Sequence, residues 1–189
     1  MNKEKFYELW NSFERLGQNE LLTYLENHDY FTCPASTQFH SSYPGGLLHH
    51  SLKVYEKLLE LTEKNNLVWE SEASIIIISL LHDLCKTRFY VKDYRNVKDE
   101  TGKWIKKEIY KINDLDPIGV HGDKSVMILY KLGFMLTEEE IYCIRYHMGA
   151  YESKECISSL SNAIRKYPNI LYVQLADILA TIEEENEVH

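Results

Sequence analysis

The sequence has no pair of cysteines at the spacing of a metal ribbon or a redox dithiol. Its four, Cys33, Cys85, Cys143 and Cys156, are scattered along the chain and read as reduced core thiols of a cytoplasmic protein. A long apolar run is also missing. The longest stretch, around Ile75 to Leu81, is far too short to span a bilayer, and Met1-Asn2-Lys3-Glu4-Lys5 carries no secretory apolar region. A soluble protein without a membrane partner is expected. Basic charge is in deficit: 21 lysines and arginines against 29 acidic side chains leave a net charge of -8. That balance argues against coating duplex nucleic acid and favours small or locally bound partners. No internal repeat or low-complexity segment is visible, and 189 residues suit one domain with a full core.

What the chain does have is helical periodicity. Phe6, Leu9, Trp10, Phe13 and Leu16 share one face of a predicted helix over Lys3 to Leu16, closed by Gly17. A short helix follows from Asn19 through Leu25, and the loop Cys33 to Gly46, with Pro34 and Pro44, feeds a helix from about Leu47 to Lys64. Ser71 is the expected N-cap of a central helix whose interior, Ala73 to Leu81, is apolar nearly all round. Continuation through His82-Asp83-Leu84-Cys85-Lys86 makes that segment too long for a buried strand. Phe89, Tyr90, Val91 and Tyr94, the turn Asp99 to Gly102, then Trp104, Ile105, Ile109, Tyr110 and Ile112 predict a hairpin at about 88–112. Helices resume at about Asp123 to Leu132, at Glu138 to Met148 behind the capping box Thr137-x-x-Glu140, at about Cys156 to Lys166, and from Pro168 to about Glu184. The expected fold class is all-α, a helical bundle with a small inserted hairpin.

Six residues of these helices, His50, His82, Asp83, His121, His147 and Asp177, form a ligand set suited to two divalent metal ions. A His or Asp within strongly apolar helices costs free energy unless partnered, and one ion satisfies several such groups at once. Neighbours such as His82 and Asp83 diverge by about 100° on a helix, so they share a site only against the edge between them. An isolated His-Asp pair reads more simply as a carbonyl-bonded histidine beside an exposed aspartate. This pair is not isolated. Gly-Gly-Leu-Leu-His-His-Ser-Leu precedes it by one helix length, His121-Gly122-Asp123 opens a later helix, Tyr146-His147-Met148 closes another, and Asp177 interrupts the apolar Val173 to Leu179. Imidazole with carboxylate favours manganese or iron, with nickel, cobalt, zinc and magnesium as the other candidates.

From Tyr43 to Glu185 the chain resembles the HD-domain metal-dependent phosphohydrolase superfamily, named for its adjacent His-Asp pair. The motifs that carry the resemblance are Gly46-Leu47-Leu48-His49-His50-Ser51-Leu52, His82-Asp83-Leu84-Cys85-Lys86, then His121, His147 and Asp177 in order. Phe89 to Gly122 also looks like a subgroup of phages and gut bacteria. The resemblance implies an HD-type helical core over about 43–185 and a first-motif ligand at His50 rather than His49. It further implies one metal held by His50, His82, Asp83 and Asp177, and a second, bridged through Asp83, held by His121 and His147. Leu84 and Cys85 replace a frequent Ile-Gly in the second motif, a change expected to affect packing rather than ligation. The Gly-Tyr-Pro signature of the cyclic-dinucleotide branch is absent near His147, so that substrate is not inherited.

The expected activity is phosphohydrolysis of a small phosphorylated substrate, a nucleotide or short oligonucleotide, by a metal-bridging hydroxide. Asp83 and Lys86 are the candidate catalytic residues, together with Asp123 as a base or leaving-group acid. Lys86, Lys124 and Arg145 are candidate phosphate contacts; against this, Lys86 also reads as a helix-terminal cation and Asp123 as a helix cap. The hairpin aromatics Tyr90, Tyr94, Trp104 and Tyr110 read as packing residues or as a lid that stacks a base, and His40 as a solvated loop residue. Two other readings use the same ligands: a di-iron HD-fold oxygenase, and a metal-stabilised binding module without turnover.

Overall fold

The computed structural model describes residues 1–37, 41–113, 121–151 and 154–187. Its elements are α1 (Asn2–Trp10), α2 (Gln18–Asn27), α3 (Gly46–Asn65), α4 (Ser74–Leu81), β1 (Tyr90–Lys98), β2 (Trp104–Ile112), α5 (His121–Lys131), α6 (Glu138–Arg145), α7 (Ile157–Lys166) and α8 (Ile170–Glu187), with a 3-10 turn at Leu84–Lys86. The molecule is a helical bundle carrying one antiparallel hairpin, the expected class. α4 is the central helix. Its Ile77, Ile78, Leu80 and Leu81 are buried against Leu47, Val54 and Leu58 of α3, and full burial of one such side chain stabilises by about 1.5–3 kcal/mol. α8 packs along α3.

The N-terminal helix is shorter than its periodicity predicts. The Gln18 amide donates to the carbonyls of Trp10 (2.7 Å) and Phe13 (3.1 Å), taking acceptors a longer helix would use, and Leu16 is left exposed. Gly17 precedes α2 at φ +82° rather than closing α1. An added Cβ there would stand 2.3 Å from the Gly133 carbonyl oxygen.

Ser71 is not the N-cap of α4, which starts three residues later behind Ala73. Its hydroxyl accepts from Arg15 Nη2 at 3.0 Å, because Arg15 is drawn in to pair with both oxygens of the buried Glu140. Glu140 also closes the predicted capping box of α6 with Thr137 and accepts from the Ser74 hydroxyl at 2.8 Å. One carboxylate thus joins the Arg15 segment, the first turn of α4 and the start of α6.

α4 ends at Leu81 instead of running through Lys86. The Ser125 hydroxyl of α5 donates to the His82 carbonyl (2.7 Å) and accepts from the Cys85 amide (3.0 Å). In an α-helix the Lys86 amide would donate to that carbonyl. Here it turns back to the Asp83 carbonyl at 2.9 Å, and the chain tightens into the 3-10 turn. Asp83, at φ -101° and ψ 18°, has left the helical register, so the approximately 100° divergence of helical neighbours no longer separates it from His82.

Gly122 allows α5 to start hard against the end of α6. A Cβ at this position would lie 2.2 Å from the Arg145 carbonyl oxygen and 2.6 Å from that of Ile144, and both are backbone atoms that cannot rotate away. Gly122→Ala is therefore expected to cost about 1–3 kcal/mol by overpacking and to lower the denaturant midpoint. An unchanged midpoint would show that α5 separates from α6 without cost.

Candidate metal centre

α3, the end of α4, the end of α6 and α8 bring their polar side chains to one buried place. His50 Nε2 lies 3.0 Å from Asp177 Oδ1. The rings of His50 and His82 are 5.5 Å apart between centroids, and those of His82 and His147 4.9 Å apart, edge to face. Asp83 stands between the last two: its Oδ2 is 3.5 Å from His82 Nε2 and its Oδ1 is 3.5 Å from His147 Nε2. These spacings are too long for hydrogen bonds. Both Nε2 atoms are buried without a hydrogen-bond partner among the described residues.

Local backbone fixes which nitrogen of each ring faces the site. His82 Nδ1 is 2.9 Å from the Ser79 carbonyl and His147 Nδ1 is 2.8 Å from the Ile144 carbonyl. A carbonyl only accepts, so in each neutral ring Nδ1 carries the proton and Nε2 presents a lone pair. For His50 the corresponding partner is the buried carboxylate of Glu184, whose Oε1 is 3.1 Å from Nδ1. The Ser41 hydroxyl donates to the other oxygen of Glu184 at 2.7 Å. Carbonyl or carboxylate on one side of an imidazole and a ligand position on the other is the arrangement that orients metal-binding histidines.

Three overlapping groups have ligand atoms all within 4.8 Å of one another: His50, His82 and Asp177; His82, Asp83 and His147; Asp83, Cys85 and His121. All six sequence-predicted ligands fall in these groups. The residues fit divalent metal, because unsatisfied buried imidazole nitrogens around a shared carboxylate are donors lacking only an acceptor of their lone pairs. His49 does not join them; its Nδ1 is hydrogen-bonded to the Tyr43 hydroxyl. His40 lies outside the described residues.

The remaining candidates are arranged around this centre. Lys86 Nζ lies 2.5 Å from Asp83 Oδ2, at the end of the 3-10 turn rather than of a helix. Burial alone would raise the Asp83 carboxyl, but Lys86, His82 and His147 hold it well below the usual carboxylate range. Asp123 pairs with Arg145, whose guanidinium also lies over the Tyr146 ring, and Lys124 lies over the Phe89 ring at 5.3 Å.

Sequence reasoning missed Glu184 and the place of Cys85. Glu184 follows Asp177 by seven residues, two helical turns on the same face, but it is hidden in the acidic run Glu183-Glu184-Glu185. Of the first two, Glu183 turns outward to Lys53 and Lys57 while Glu184 turns inward. Cys85 Sγ is 3.3 Å from His121 Nδ1, so the thiol touches a candidate ligand rather than only filling the core.

The electrostatics of His50 set a pH dependence. Burial favours its neutral form, but Asp177 and Glu184 outweigh this and push its pKa up to about 9 from an ordinary 6.5. A raised pKa stabilises the fold fully below the ordinary value and loses that contribution as pH rises through the shifted one. Metal-free protein is therefore expected to melt at progressively lower temperature from pH 6.5 to about 9. Metal affinity should rise over the same range, since the ring must shed a proton to bind. Asp177, held low chiefly by His50 against the effect of burial, stays ionised throughout. Glu184→Gln should flatten the melting trend, and a trend unchanged in that variant would remove Glu184 from control of His50. Glu184→Ala, which frees the ring, is expected to weaken manganese binding by about 10- to 100-fold in chelator competition; wild-type affinity would show that the carboxylate does not orient His50.

Comparison with known proteins agrees with this geometry. No curated protein and no solved structure matches the chain. The HD domain family model matches residues 47–182, an interval that contains all six clustered His and Asp residues and stops two residues short of Glu184. With that match over most of its length, and with the His-Asp pair at the centre of the buried cluster, the chain belongs to the HD domain family, within the superfamily of metal-dependent phosphohydrolases.

Proposed function

We propose that the chain is a dinuclear metal-dependent hydrolase acting on a phosphate ester or anhydride of a nucleotide or short oligonucleotide. The observation that carries this reading is the pair of buried Nε2 atoms of His82 and His147, without a hydrogen-bond partner among the described residues, facing different oxygens of Asp83. When bound, two divalent ions, manganese or iron by the ligand types, supply a water of near-neutral pKa and a clamp on a phosphoryl oxygen. His50, His82 and Asp177 hold one position, His121 and His147 the other, and Asp83 serves both.

Lys86 has two duties in this reading. In the metal-free protein its ammonium compensates the buried Asp83 carboxylate. With metal held by Asp83, the ammonium would be available to a phosphoryl oxygen, where it would offset the charge that develops in the transition state. Lys124 and Arg145 add positive charge on the α5 and α6 side. Asp123 pairs with Arg145, so it orients that guanidinium and remains the candidate for proton transfer as base or leaving-group acid.

Protein purified anaerobically and supplied with manganese or iron is expected to hold about two ions per chain and to hydrolyse bis(4-nitrophenyl) phosphate under argon. Asp83→Ala should lose both properties. Elemental analysis giving one ion in excess metal would end the dinuclear reading. Turnover that requires dioxygen would put a di-iron oxygenase in place of the hydrolase.

A further inference from the structure

The hairpin carries charge of the opposite sign to the rest of the molecule. From Tyr90 to Ile112 there are seven basic and four acidic side chains, in a chain whose net charge is -8. Cross-strand register then sorts the side chains. Tyr90 pairs with Ile112, Lys92 with Tyr110, Tyr94 with Glu108, Asn96 with Lys106 and Lys98 with Trp104. Partners opposite one another share a face, so every aromatic ring of the hairpin lies on one face with three lysines and a single acid, Glu108. The other face carries Val91, Val97, Ile105 and Ile109 together with Arg95, Lys107, Lys111 and Asp93, so basic charge lies on both faces and the rings mark out the first.

Two of the rings are largely open to solvent. Trp104 is 65% exposed and Tyr94 63% exposed. Lys98 Nζ sits 5.4 Å over the Trp104 ring. At its other end the same face runs into the body of the protein: Tyr90, Lys92 and Tyr110 line a cleft of about 280 Å³ with Asp29, Cys33 and Pro44. The Tyr90 hydroxyl donates to the Ala35 carbonyl at 3.2 Å, and the Phe89 ring lies 5.0 Å from the Tyr90 ring and 5.8 Å from the ring of His121, between centroids. The aromatic and basic face therefore begins beside the metal centre and extends outward along nine residues of strand, roughly 27 Å at the usual rise.

We propose that this face binds single-stranded nucleic acid, with bases stacked on Tyr94 and Trp104, phosphates on Lys98 and Lys106, and the strand end delivered to the metal centre; the last part rests on the hydrolase reading above. Charge complementarity selects a polyanion, because the hairpin is the basic part of an acidic chain. Flat exposed rings select unpaired bases, since a duplex has its base faces already stacked. Lysines interleaved with aromatics are the combination that tracks a single strand without reading its sequence.

The test is fluorescence anisotropy of labelled, phosphorothioate-linked oligothymidylate and oligouridylate of about twelve nucleotides, within the span of such platforms, on manganese-loaded wild-type protein. Binding of either probe is expected, with a base-paired competitor ineffective. Trp104→Ala and Tyr94→Ala, both on the exposed hairpin, should each weaken binding about 5- to 100-fold. Lys98→Ala combined with Lys106→Ala should flatten the slope of log affinity against log salt by about 1.4. Absence of binding, equal affinity in the aromatic variants, or self-association through the hairpin in place of oligonucleotide binding would overturn the proposal. The wild-type protein's turnover of bis(4-nitrophenyl) phosphate is read separately. Turnover without oligonucleotide binding overturns this surface and leaves the hydrolase standing, and binding without turnover supports the surface while the hydrolase reading falls.

Discussion

A carboxylate taken out of water must be compensated on every side, and the middle of this molecule is built around one, Asp83. Its neighbours come from separate elements: Lys86 from the following 3-10 turn, His82 from the end of α4 and His147 from beyond α6. Each neighbour is itself held. Carbonyls of Ser79 and Ile144 fix the two rings, and the Ser125 hydroxyl breaks the helix so that His82 and Asp83 address one space. The bare Cα of Gly122 lets His121 start its helix against α6. The α3–α8 pairing is tied to the same place through His50, Asp177 and Glu184. Uncompensated, an ionised group at this depth would cost several kcal/mol or more, which is why so many elements converge on it.

A second buried carboxylate shows how the two kinds of polar centre differ. Glu140 is as deeply buried as Asp83, yet it is answered by Arg15 on both oxygens, by the Ser74 hydroxyl and by the amide of Thr137. Nothing around it is left over. Its part is to fasten the N-terminal segment to α4 and α6. At the Asp83 centre, by contrast, two imidazole nitrogens remain unpartnered among the described residues. A protein that can satisfy a buried carboxylate completely, and does so at one site, leaves donors over at the other where a ligand is to complete the set.

The hairpin adds a surface of different character to the same centre. Its strands pair along their whole length with each other. Trp104 and Tyr94 stand largely exposed on this arm. The break in α4 and the tight turn through Thr87 deliver the chain from the His-Asp cluster directly into β1, so the arm and the cluster are connected by only a few residues of backbone.

The helical class, the hairpin with its Asp99–Gly102 turn, the capping box at Thr137 and the six His and Asp candidates are all legible in the amino-acid order alone. These signals are local: a period of 3.6 or 2, a turn residue, or a polar group within an apolar run shows in a window of a few residues. Tertiary structure decided where α1 and α4 end, because Gln18 and Ser125 are separated in sequence from the carbonyls whose helical role they take over. It also turned Ser71 from a cap into a partner of Arg15 and drew Glu184 out of an apparently solvated acidic run to orient His50. The bonds from Ser125, Ser71 and Glu184 join groups 43, 56 and 134 residues apart and leave no periodicity behind. Only folding brings such groups into hydrogen-bonding distance, and only there do they compete with the local pattern and win.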